Sequence, residues 1–109
     1  MQREDILKIS KEIITEELEK AGYNVLEIIL FGSRARGDES PDSDWDFYVV
    51  VDKDVDFKTK KSLIANIQMK LAENYIFCDL LLNDIKTYEN LSREKSTVSY
   101  IARIEGIAI

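Results

Sequence analysis

Two neighbouring segments decide the fold of this chain: Phe31–Asp38, which reads FGSRARGD, and Ser43–Val51, which reads SDWDFYVVV. The apolar residues before Gly32 predict a buried strand that runs into a tight Gly32-Ser33 turn. Glycine allows both a sharp turn and the close approach of a ligand to the backbone. We expect Ser33 to cap a short helix, whose N-terminus would present unpaired N–H groups to a phosphate.

The second segment begins with two aspartates, Asp44 and Asp46, and continues as an apolar strand. Side chains alternate along a strand, so these two carboxylates point to the same face. Carboxylates a few ångströms apart repel one another unless a cation lies between them. The two segments together predict a phosphate-binding turn that faces a divalent-metal site.

The order Gly-Ser, Arg36-Gly37 and Ser-Asp-x-Asp resembles the nucleotidyltransferases of the DNA polymerase β superfamily. The small size resembles their minimal branch, the MNT proteins, which are often paired with HEPN-domain partners. Members of the family carry a third carboxylate on a later strand, and the matching position here is Asp79. Either motif alone is weak, but both together at this spacing are a specific signal.

The resemblance implies catalytic and metal-binding roles for Asp44, Asp46 and Asp79, with two Mg²⁺ ions and ATP as the nucleotide substrate. Magnesium is commonly held by one or two carboxylates plus substrate phosphates and water. The resemblance also implies that Gly32 and Ser33 hold the β- and γ-phosphates and that Arg36 binds phosphate. The implied reaction is transfer of AMP to a tyrosine of a HEPN RNase toxin, which would make this chain an antitoxin.

Other interpretations of these residues stay open. Asp79 could be a charge at a strand edge, and Arg36 could form an ion pair in solvent. At the level of function, the chain could neutralise a HEPN partner by binding alone, or it could modify a small molecule.

Length and composition limit the number of domains and the classes of function that this chain can have. The chain has 109 residues, which predicts a single domain over residues 1–109. The net charge of −6 disfavours general nucleic-acid binding, because that affinity comes from basic side chains. The absence of histidine excludes a His-based triad and a His-ligated zinc site. One cysteine excludes an internal disulfide and favours the cytoplasm. No apolar run could span a bilayer, and homo-oligomerisation is left open.

Hydrophobic periodicity predicts an α/β (α+β) fold, with a small mixed three-stranded sheet flanked by helices. The first strand ends at the motif and the second begins there, so we expect these two to be antiparallel. Asp79 lies near the start of the third strand, which should therefore be parallel to the second. The first strand should be buried on both faces. The expected strands are 25–31, 45–51 and 76–82, and the expected helices are 3–21, 33–37, 57–74 and 92–106, with a short turn or helix from residue 83.

Overall fold

The computed structural model describes all 109 residues, which form five helices and four strands. The helices are α1 (Arg3–Lys20), α2 (Ser33–Arg36), α3 (Phe57–Glu73), α4 (Ile85–Leu91) and α5 (Val98–Glu105). The strands are β1 (Val25–Phe31), β2 (Trp45–Val51), β3 (Cys78–Asp84) and β4 (Ile107–Ala108). None of the helices combines the length and the apolar composition needed to cross a bilayer.

The four strands form one mixed sheet in the order β3-β2-β1-β4. β1 and β2 are antiparallel, while β2 and β3 are parallel, as the motif positions predicted. The register places Asp46 between Phe31 on one neighbouring strand and Asp79 on the other. The sheet therefore places the Gly32-Ser33 turn and the aspartates together at one end of the strands β1, β2 and β3.

The sheet separates two hydrophobic clusters. The larger one joins one face of the sheet to α1 and α3, with fully buried Ile14, Leu18, Ile67 and Leu71 contributed by these helices. The smaller one joins the other face to α4 and α5 and contains Ile29, Tyr48, Val50, Tyr88 and Ala102. Asp46 and Tyr48 alternate with the residues of the larger cluster, so the aspartates share the face that α4 and α5 cover.

The prediction of three strands was wrong. Ile107 and Ala108 form a fourth strand that pairs antiparallel with Leu30 and Ile29 of β1. The predicted final helix over 92–106 was also too long, because the segment before Thr97 is a turn. The Thr97 side chain accepts a hydrogen bond from the Tyr100 backbone N–H and so caps α5.

Two strand predictions also need correction. β3 begins and ends two residues later than predicted, because Asn83 and Asp84 continue the ladder with Val50 and Val51. β1 is buried only in its second half, where Ile28–Leu30 lie, since Leu26 and Glu27 are exposed. The bounds of β1 and β2 were predicted correctly.

Candidate active site

The turn after β1 is built around a glycine whose conformation other residues rarely adopt. Gly32 has φ +76° and ψ −160°, a region that costs an L side chain steric strain. A Cβ placed here would also collide with the carboxylate of Asp46. The absence of a side chain at position 32 thus lets the backbone turn lie directly against the Asp46 carboxylate.

The expected role of Ser33 as a helix cap is wrong. Gly32 itself occupies the N-cap position of α2, and no side chain caps this helix. Ser33 is the first helical residue and lies half-buried at the turn. The short helix ends at Gly37, which has the left-handed φ of +85°.

Asp46 lies half-buried between the turn and β3, directly opposite Asp79 in the parallel register. Burial raises the pKa of Asp46, and the negative charges of Asp79 and Asp44 raise it further. Arg36 partly offsets these effects. None of the three aspartates forms a hydrogen bond or a salt bridge with any side chain of the protein. The mutual repulsion of the three carboxylates is therefore offset only by the distant charge of Arg36 and not by any direct hydrogen bond or ion pair.

These aspartates fit a divalent cation only in part. The structure contains no group of three His, Cys, Asp or Glu side chains that could hold a metal ion by themselves. Uncompensated carboxylate oxygens are nevertheless the donors that Mg²⁺ prefers, and Mg²⁺ commonly completes its coordination with phosphate oxygens and water. The donor set suits an ion that binds together with a phosphorylated ligand.

Two arginines of α2 have different environments. Arg34 donates from Nε and Nη2 to the backbone oxygen of Ser43, at 3.2 and 2.7 Å, and its guanidinium lies 4.6 Å from the ring centre of Trp45. It therefore holds the loop that leads to Asp44. Arg36 is more exposed and forms ion pairs with Asp38 and Glu105.

Glu105 is a site residue that the sequence did not reveal. It lies at the end of α5 and accepts a hydrogen bond from the Gly32 backbone N–H at 3.1 Å. It is 73 positions from Gly32, and no local motif marks it. Only the antiparallel return of the chain into β4 brings the two together.

A shallow cavity of about 370 Å³ opens beside Asp44. Its walls include Arg34 and the aromatic side chains of Trp45, Tyr75 and Phe77. Tyr75 and Phe77 are largely exposed. Asp44 thus adjoins an open surface with aromatic side chains.

Comparison with protein families gives a match to the family described as Polymerase beta, Nucleotidyltransferase over residues 11–108. The chain belongs to this family. The match covers both motifs and the position of Asp79, and it agrees with the resemblance found in the sequence. A search of curated proteins found no match to this nucleotidyltransferase.

Several solved structures share the fold of this nucleotidyltransferase. A toxin-antitoxin complex with AMP-PNP has a TM-score of 0.59 at 22% identity, covering 90% of this chain and 70% of that one. A complex of the tri-AMPylated Shewanella oneidensis HEPN toxin with its MNT antitoxin has a TM-score of 0.57 at 18% identity, covering 93% and 69%. An MntA–HpeT toxin-antitoxin mutant has a TM-score of 0.58 at 19% identity, covering 91% and 70%. At these identities the likeness supports the fold.

Proposed function

We propose that this chain is a single-domain, metal-dependent nucleotidyltransferase that transfers AMP from ATP to a hydroxyl group. The observation that carries the proposal is the position of Asp46. Its carboxylate lies against the Gly32 turn and opposite Asp79, and it has no partner in the chain. Nucleotidyl transfer requires a metal–triphosphate complex at such a junction of carboxylates and backbone donors.

Each predicted residue has a role in this proposal. Asp44 and Asp46 would hold Mg²⁺, which would neutralise phosphate charge. The Gly32-Ser33 backbone and Arg36 bind the phosphates. Asp79 would provide a ligand to a second Mg²⁺, which would lower the pKa of the attacking hydroxyl, and would orient the acceptor.

The bond changes follow from this arrangement. The acceptor oxygen forms a bond to the α-phosphorus of ATP, and the bond from that phosphorus to the oxygen bridging to the β-phosphate breaks. Pyrophosphate leaves with this oxygen, and the acceptor proton passes to the Asp79 carboxylate. The turn at Gly32 retains the pyrophosphate until it dissociates.

We propose a tyrosine of a HEPN-domain toxin as the acceptor, so that the chain acts as an antitoxin in the cytoplasm. Support comes from family membership and from the similar structures, one of which contains an AMPylated HEPN toxin with its MNT antitoxin. Aromatic side chains beside Asp44 offer a surface on which a tyrosine ring could pack.

Mass spectrometry of a co-expressed HEPN partner tests this proposal. Incubation with ATP and Mg²⁺ should add one or more AMP units to the partner, and Asp46→Asn should add none. An ATP analogue with a methylene group between the α- and β-phosphates serves as the control, because its bond cannot be cleaved by transfer. Tight partner binding without any added mass would instead support neutralisation by binding alone.

A further inference from the structure

The proposed phosphate-binding groups are already engaged by a carboxylate of the same chain. Glu105 Oε1 accepts a hydrogen bond from the Gly32 backbone N–H at 3.1 Å and one from Arg36 Nη1 at 3.0 Å. These are two of the donors that the proposed function assigns to the triphosphate. Carboxylates and phosphates bind the same backbone N–H and guanidinium donors.

This contact brings a fourth negative charge to a site that already has three. The Glu105 carboxylate lies at the turn against which the Asp46 carboxylate also packs. Arg36 is its only ion-pair partner, and that arginine is shared with Asp38. Glu105 thus places a further negative charge against two donors, the Gly32 N–H and Arg36, that an anionic ligand would use.

The backbone around Glu105 is fixed on both sides. Before it, Ala102 is buried, and the Ser99 hydroxyl lies 2.6 Å from the Tyr48 hydroxyl. After it, Gly106 packs so closely against Ile29 that a Cβ would collide, and β4 then pairs with β1. The Glu105 side chain itself remains 25% exposed. Its carboxylate can therefore leave the turn by side-chain rotation while the backbone stays in place.

We propose that Glu105 is an internal competitor of the nucleotide, whose carboxylate binds the Gly32 N–H and Arg36 in the free protein and must leave before the triphosphate can bind. This inference rests on the proposed function. The apparent affinity for ATP is then reduced by the fraction of molecules in which Glu105 holds the turn. Every anion that needs both donors is weakened by the same factor, so the nucleotide concentration required for half-occupancy of the site rises by that factor.

Calorimetric titration of the full chain with the α,β-methylene analogue of ATP and Mg²⁺ tests the proposal. Glu105→Ala should bind the analogue about tenfold more tightly if the competing carboxylate occupies about nine-tenths of the wild-type molecules. Glu105→Gln should bind more tightly than the wild type by a smaller factor, because its amide oxygen is a weaker acceptor. Glu94→Gln is the matched control. Glu94 lies in an exposed turn, and its side chain makes no contact with the site. This variant removes the same charge and should bind the analogue like the wild type.

Glu105→Asp separates competition from simple charge repulsion. It keeps the charge but shortens the side chain, so the carboxylate can no longer reach both donors. Competition therefore predicts tighter binding for Glu105→Asp, whereas repulsion predicts wild-type affinity. Thermal unfolding checks that each variant is folded.

The outcomes distinguish this inference from the proposed function. If the wild type binds the analogue and the Glu105 variants bind it equally or more weakly, competition is wrong, and Glu105 instead positions Arg36. If no variant and no wild-type protein binds the analogue, the proposed nucleotide site itself is wrong and the inference is lost with it.

Discussion

Two carboxylates of this protein, buried Glu17 and half-buried Asp46, have pKa values shifted in opposite directions by their surroundings. Glu17 lies between α1 and α3 and is 8% exposed. It accepts hydrogen bonds from Asn66 at 2.8 Å and from Lys70 at 2.9 Å, with Lys20 at 3.4 Å. The hydrogen bond from Lys70 lowers its pKa, although burial acts in the other direction.

Asp46 has no such donors. Burial and the neighbouring carboxylates raise its pKa, so the folded protein disfavours its charge. Glu17 shows that this fold can compensate a buried carboxylate with side chains of its own. The proposed Mg²⁺ site would compensate Asp46 from outside the chain, and the following experiments test this difference between the two carboxylates.

The largest effect is expected at Asp79, the carboxylate paired with Asp46 across the sheet. Asp79→Asn keeps the shape of the side chain but removes a proton acceptor, so transfer should slow by ~10²–10⁴-fold. Binding of ATP should remain largely intact. Rates of partner modification and calorimetric ATP binding measure the two effects, and unchanged transfer would exclude Asp79 from the reaction.

Asp46→Asn should reduce the rate of transfer by roughly 100-fold or more. Removing a residue that only hydrogen-bonds to a metal ligand already lowers metal affinity or activity by about 10–100-fold, and Asp46 is a proposed ligand itself. The same variant should unfold at a higher temperature than the wild type, since it removes an unfavourable charge from the fold. Activity assays and thermal unfolding of one protein preparation test both expectations. A lower melting temperature would show that the fold does compensate Asp46.

The glycines of the turn offer a matched pair. Gly32 and Gly37 both have positive φ, but a Cβ at position 37 meets nothing within 4 Å, whereas one at position 32 collides with Asp46. Gly37→Ala should cost only the backbone strain, about 1–2 kcal/mol. Gly32→Ala should cost more stability and should also displace Asp46, which weakens Mg²⁺-dependent nucleotide binding. Equal effects of the two variants on nucleotide binding would argue against a close turn–carboxylate contact.

The parts of this molecule that could be predicted from sequence are those determined by local pattern. Residues 25–51 contain two apolar strands, the turn after the first and the aspartates at the start of the second, and the bounds of β1 and β2 follow from this local sequence. The strand β4 escaped prediction because two apolar residues after a helix give no period-2 signal. The role of Glu105 could not be predicted either, because this residue reaches the turn only when β4 pairs with β1.

A smaller effect is expected at Glu17, the carboxylate whose charge is compensated by side chains of the protein. Glu17→Gln keeps the volume of the side chain but removes its charge, so the bonds from Lys70 and Lys20 become weaker. Because these lysines are partly exposed, we expect a loss of about 1 kcal/mol of stability at neutral pH. Nucleotide binding and transfer should not change. Denaturant unfolding and the transfer assay measure the two properties, and loss of transfer in a folded variant would contradict the separation of the two regions.

The pH dependence of this loss identifies its origin. The pKa of Glu17 in the folded protein lies below the ordinary value of 4.5, so the fold favours the charged carboxylate. Its contribution to the free energy of unfolding is therefore complete above pH 4.5 and is lost as the pH falls through the folded-state pKa. The stability difference between the wild type and Glu17→Gln should accordingly be constant near neutral pH and should shrink in acid. Urea unfolding of both proteins over this range measures it. A difference that persists unchanged in acid would mean that Glu17 acts through packing, and the contrast with Asp46 would then lie in shape and not in charge.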